Sequence, residues 1–172
     1  MRSINLITLL CLVAAAAIIA PAQTRPSESH KNKYQAIEIT SFDVKAGTDL
    51  PPDYLNELMK DVANQVYDTN KFKQVARPGE TLANPGAPTI RLVGTVTEFK
   101  KGSQMKRYMI GFGAGKTKIV VHIKFIDVAT GSVVLEKDVD GKVVIGMLGG
   151  QSQGATNGVA KEIAKVIKKE FF

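Results

Sequence analysis

The chain has 172 residues, 44% of them hydrophobic, and carries 23 basic against 16 acidic side chains for a formal charge of +7. Its single cysteine, Cys11, lies in the first apolar run, so neither a disulfide framework nor a thiolate metal site is available to the rest of the chain. The length suits one domain with one core behind a targeting segment, and the excess of lysine favours anionic partners without implying a fold.

Arg2 is the only charge before Arg25, and Leu6 to Ala20 is apolar apart from Thr8. Ala20-Pro21-Ala22 follows with the small-x-small spacing that signal peptidase reads, which makes Gln23 the new first residue. As a helix, Leu6 to Ala20 would rise only about 22 Å, short of a hydrocarbon core of roughly 30 Å, and Pro21 ends the run. Residues 1–22 therefore read as a cleavable secretory signal, leaving no transmembrane span after processing. Cys11 follows Leu9-Leu10 in mid-run rather than small residues at its end, so it is not placed as a lipid acceptor. Processing removes one basic and no acidic residue, lowering +7 to +6. A periplasmic or secreted chain of that charge meets lipid head groups rather than nucleic acid.

Residues 23–32 are polar and aperiodic and read as a mobile lead-in to a single domain over 33–172. A β-rich run, 34–44, sets Ile37 and Ile39 on one face and breaks at Ala46-Gly47. Pro51 and Pro52 suit a helix start, with Asp49 as a candidate cap. From Asp53 to Asp68, Leu55, Leu58, Met59, Val62 and Val66 draw one helical stripe. A short strand over 72–75 precedes a Pro- and Gly-rich loop, 77–88. Residues 89–99 alternate with Ile90, Leu92, Gly94 and Val96 on one face, and 117–128 alternate with Ile119, Val121, Ile123 and Phe125 on one face. Asp127 to Gly131 is turn chemistry, and 132–140 returns as a paired strand. A last helix, about 153–170, buries Val159, Ile163, Val166 and Ile167 and turns Lys161, Lys165, Lys168 and Lys169 outward. The order β-α-β-β-β-β-α predicts an α+β fold, two helices packed on a mainly antiparallel sheet.

Gly111 to Thr117 (GFGAGKT) ends like a phosphate loop, and an enzyme binding a small molecule or phosphate through Lys116 is the alternative it raises. The spacing fails, because Ile110 stands where the first glycine belongs, and a strand follows where the phosphates need a helix N-terminus. His30 and His122 make no metal site, and no serine lies in a Gly-x-Ser-x-Gly elbow. Neither a catalytic constellation nor a cofactor site can be named. Phe171-Phe172 is not a barrel ending, because Lys168 and Glu170 break the alternation such a strand needs. Two glycine-rich stretches mix glycine with apolar side chains near the ends of the long strands. One holds Met109, Ile110, Gly111, Phe112, Gly113 and Gly115; the other holds Ile145, Met147, Leu148, Gly149 and Gly150. Such side chains either fill the core or form a surface for self-association or an envelope partner.

The succession Tyr108-Met109-Ile110-Gly111-Phe112-Gly113-Ala114-Gly115-Lys116, an alternating strand, Asp127-x-x-Thr130-Gly131, Gly146-x-x-Gly149-Gly150 and a terminal helix resembles domain-of-unknown-function family 4410. The resemblance runs from about Tyr34 to Ile167. It implies an exported bacterial envelope protein, often a lipoprotein in that family, with a fold related to the TolB N-terminal domain and the curli secretion lipoprotein. It carries no catalytic residue, and the missing acceptor cysteine argues against transferring the lipid anchor. The combined expectation is a non-enzymatic envelope protein that acts by binding, as an assembly or accessory factor. The exported species should start at Gln23 and be recovered without detergent. Intact mass checks this, and a mass retaining residues 1–22 refutes it.

Overall fold

The computed structural model describes residues 30–101, 117–142 and 153–172. Its elements are β1 (Ala36–Ile39), β2 (Asp43–Val44), α1 (Pro52–Tyr67), β3 (Gln74–Ala76), β4 (Thr89–Lys100), β5 (Lys118–Asp127), β6 (Val133–Lys142) and α2 (Gln153–Glu170). The expected α+β architecture is present: among the described residues there are two helices and a six-stranded mixed sheet in the order β3-β1-β4-β5-β6, with β2 also paired to β4. The long ladders, β4–β5 and β5–β6, are antiparallel. The short ones, β1–β3, β1–β4 and β2–β4, are parallel.

Three boundaries differ from the sequence expectation. The first β-rich run is two strands, because Phe42 turns into the core between them and breaks the pairing along β4. The third strand begins two residues later, at Gln74, because Phe72 packs against Phe172 instead. Asp49 does not cap α1: the cap is Pro51, in extended conformation and without a side-chain bond, with proline following in the first turn.

One face of the sheet is dry. Ile90, Leu92 and Val96 of β4 and Ile119, Val121, Ile123 and Phe125 of β5 are fully buried there. Leu58, Val62, Ala63 and Val66 of α1 and Val159, Ala160, Ile163 and Ile167 of α2 close over them. At 25 cal/mol per Å² or so of apolar surface, each such Ile, Leu or Phe contributes about 1.5–3 kcal/mol. Both helices run the same way. Tyr54, in the first turn of α1, meets Phe99 near the end of β4 with ring centroids 5.0 Å apart, and Phe172, past the end of α2, meets Phe72, past the end of α1, at 5.3 Å.

Two glycines permit close approach. A Cβ on Gly141 of β6 would collide with Ala155 O of α2 and lie 2.6 Å from Val159 N, so α2 rests directly on the strand backbone. A Cβ on Gly94 of β4 would lie 2.7 Å from the ring of Phe42, itself 3% exposed. Gly94→Ala should therefore overpack the core at a cost of about 1–3 kcal/mol, several degrees of melting temperature. Combining it with Phe42→Leu should cost less than the sum of the two changes. Thermal melts of the two single variants and the double variant test this; strict additivity would show that the contact is not what makes Gly94 necessary.

Candidate interaction site

The β4–β5–β6 register brings three strand ends to one end of the sheet. Lys100 pairs with Lys118 and Lys118 with Lys142, so the end of β4, the start of β5 and the end of β6 share one row. Both glycine-rich stretches connect to that row. Residues 102–116 join β4 to β5, and 143–152 join β6 to α2. Met109, Ile110, Gly111, Phe112, Gly113, Gly115, Ile145, Met147, Leu148, Gly149 and Gly150 lie outside the described residues, as do Ala20, Ala22 and Gln23 of the expected cleavage site. Their attachment points are described, and they lie at one end of the sheet.

A bulge organises that end. The β4–β5 register shifts between Val96 and Glu98, so Thr97 is the extra residue. Before it, even-numbered residues face the core; after it, Phe99 does, opposite Ile119 and against Tyr54. Glu98 is thereby turned to the open face, where Lys100 (2.7 Å) and Lys118 (2.9 Å) close on its two oxygens. Those bonds, first from Lys100 and then from Lys118, hold its pKa down at about 2. Thr156 of α2 donates to Asp61 of α1 (2.7 Å), tying the helices together near the same end.

Thr117 is buried and runs straight into β5 at Lys118. The segment that ends Gly-Lys-Thr is thus followed by a strand, and the helix N-terminus that a phosphate loop uses is missing from that position. Among the described residues, no group of His, Cys, Asp and Glu is arranged to hold a metal ion. No described helix is long and apolar enough to cross a membrane.

Two polar clusters were only half visible in the sequence. Asp127 of the Asp-x-x-Thr-Gly turn accepts from the N–H groups of Ala129 (3.0 Å) and Thr130 (3.1 Å) through Oδ1, and from Lys33 Nζ (2.8 Å) and Tyr34 Oη (3.0 Å) through Oδ2. Lys33 above all, against the opposing effect of burial, brings its pKa down to about 2. On the open face, His122 of β5 stands between two carboxylates of β6, with Nδ1 2.7 Å from Asp138 and Nε2 2.7 Å from Glu136. Lys124 joins Glu136 at 3.2 Å. The sequence signal was a strand histidine and two acids two residues apart on the next strand; only the register brings them together.

The fold and this end of the sheet define a class, an α+β domain whose two parallel-running helices cover one face of a mixed sheet. Within that class, the chain belongs to the family described as domain of unknown function DUF4410, whose model matches residues 38–167. No curated protein matches it in sequence. Among solved structures it is similar to hypothetical protein CT253 from Chlamydia trachomatis, at 8% identity and a TM-score of 0.52 over 78% of this chain and 94% of that one. It is likewise similar to XCC0632 from Xanthomonas campestris, of family DUF330, at 11% identity and 0.50 over 83% and 86%. The PelC dodecamer from Paraburkholderia phytofirmans gives 21% and 0.48 over 83% and 89%. At the identities of the first two, the likeness is one of fold.

The His122 bridge is a titratable fastener. A neutral imidazole has one N–H and can donate to only one carboxylate; both bonds require the imidazolium. Bonding to Asp138 first, and then to Glu136, raises its pKa above the ordinary 6.5. The stabilisation should therefore be complete below about pH 6.5 and fade as pH rises through the elevated folded-state value. The melting-temperature difference between the unmodified protein and His122→Gln should shrink over that window, and an NMR titration of His122 with its midpoint at or below 6.5 would contradict the geometry.

Proposed function

We propose that the protein is an exported, non-enzymatic component of the cell envelope that acts by binding. In this reading the stretches 109–115 and 145–150 form its docking surface, for an envelope partner or for a second copy, and the protein serves as an assembly or accessory factor. One observation carries the reading: the row Lys100–Lys118–Lys142 attaches both stretches at adjacent rungs of one sheet end. In this reading the segments that mix glycine with Phe112, Ile110, Met147 and Leu148 act as one surface. The signal-like pattern of residues 1–22 supports the same reading. The enzyme alternative through Gly111–Thr117 gains nothing, since β5 begins at Lys118.

Phe112→Ser and Met147→Ser, in the chain starting at Gln23, test it. Each buried Phe or Met at a docking surface contributes about 1.5–3 kcal/mol, roughly one to two decades of affinity. Both variants should weaken self-association by light scattering, or recovery of a partner from envelope extract, while their melting temperatures stay unchanged. If either variant loses several degrees and the unmodified protein is a partnerless monomer, these side chains belong to the core and the reading fails.

A further inference from the structure

The end of the domain opposite the glycine-rich stretches is built differently. Four separate pieces of chain converge there. The segment before β1 is tied to the end of α2 by Asn32 N–H donating to Phe171 O (2.7 Å). The α1–β3 connection is tied to it by the Phe72–Phe172 ring contact and by Lys71, whose ammonium lies 5.4 Å from the Phe172 centroid. The same connection reaches the segment before β1 through Lys73 N–H, which donates to Gln35 O at 2.8 Å. The β5–β6 turn joins through Asp127, which bonds Lys33 and Tyr34.

These pieces gather exposed Lys31, Lys71, Lys73, Lys168 and Lys169 at one end. The acids among them are few. Asp127 is buried and occupied by Lys33 at 2.8 Å, Glu170 lies 3.7 Å from Lys169, and Asp68 is exposed at the end of α1. Apolar surface is interleaved with the lysines. Tyr67, the last residue of α1, is 66% exposed, Val133 is 50% exposed, and Phe72 and Phe172 are half-buried. A cleft of about 280 Å³ opens beside Lys31 and Lys169, lined by Val134, Leu135 and Phe171 and by the polar His30 and Glu170.

Lysines at helix C-termini also offset the helix dipole, which would account for Lys168 and Lys169. It does not account for Lys31 or Lys73, which lie on non-helical segments, or for the exposure of Tyr67 at the end of α1. Ammonium groups on long apolar stems next to exposed aromatic and aliphatic side chains match a bilayer interface, where the charge meets anionic head groups and the apolar parts enter below them. We infer that this end of the domain docks peripherally on an anionic lipid surface, through Lys31, Lys71, Lys73, Lys168 and Lys169, with Tyr67 as the shallow anchor. The glycine-rich end then faces away from the bilayer.

The test is co-sedimentation of the chain starting at Gln23 with vesicles of equimolar phosphatidylglycerol and phosphatidylcholine, and with pure phosphatidylcholine. Binding should occur only to the anionic vesicles and fall with salt. Each lysine near such a surface contributes roughly five-fold in partitioning. The combined variant Lys71→Gln, Lys168→Gln, Lys169→Gln should therefore lose about two orders of magnitude. Lys45→Gln, Lys100→Gln, Lys101→Gln, which removes the same charge from the opposite end, should lose little. Tyr67→Ser should weaken binding without altering its salt dependence. All these positions are at the surface, and unchanged melting temperatures would establish that the variants fold. Failure to bind anionic vesicles overturns the inference, as does an equal loss in both triple variants, which would reduce the effect to net charge. Capture by soluble heparin without capture by vesicles overturns it in favour of a soluble polyanion.

Discussion

The burial of a single row of β5 side chains, Ile119, Val121, Ile123 and Phe125, sets the geometry of everything around it. Each is fully buried, and a slip of either neighbouring strand by one residue would turn that strand's own apolar row outward. The register is thereby fixed on both sides, β4 on one and β6 on the other. Fixing it also fixes the positions of the polar clusters. Lys100, Lys118 and Lys142 share a row, His122 stands opposite Asp138, and Asp127 reaches Lys33 and Tyr34 at the far end. Core packing thus specifies where the polar clusters form.

Much of this could be read from the chain. The period-two pattern of 117–128 identified the buried face of β5 residue by residue, and the stripes through Leu58–Val66 and Val159–Ile167 identified the helices that cover it. The β4 bulge was also written in the sequence. Apolar residues fall at even positions through Val96 and then at Phe99, and that change of parity is the mark of an extra residue. Other features left no local trace. Alternation does not tell parallel from antiparallel pairing, so the parallel course of β1 against both β3 and β4 could not be deduced from it. The Tyr34–Asp127 and His122–Glu136 contacts depend on register and chain return, which no window of a dozen residues contains. Gly141 lies one residue past the strand expected over 132–140; it is a strand residue left bare so that α2 can approach. The family resemblance, by contrast, was carried by short motifs and held over residues 38–167.

The two ends of the domain differ in what presents their side chains. At the glycine-rich end both helices begin, and the described lysines Lys100 and Lys118 are engaged by Glu98. At the other end both helices finish, the single buried carboxylate is taken by Lys33, and the remaining lysines stand beside exposed apolar groups. Helices that run the same way add their dipoles, and the negative ends fall where Lys168 and Lys169 stand, so those two lysines offset them.

The outer edge of β6 has a consequence for crowding. Among the described residues it is the last strand of the sheet, ten residues long, and an edge of that length is where a second chain could add. Lys137 pairs with Ile123, which sets it on the helix-covered side of the sheet, and it is exposed there. The ladder is also interrupted where Phe125 gives way to Ile126. A charge on the inward side of an edge strand disfavours the addition of a further strand there.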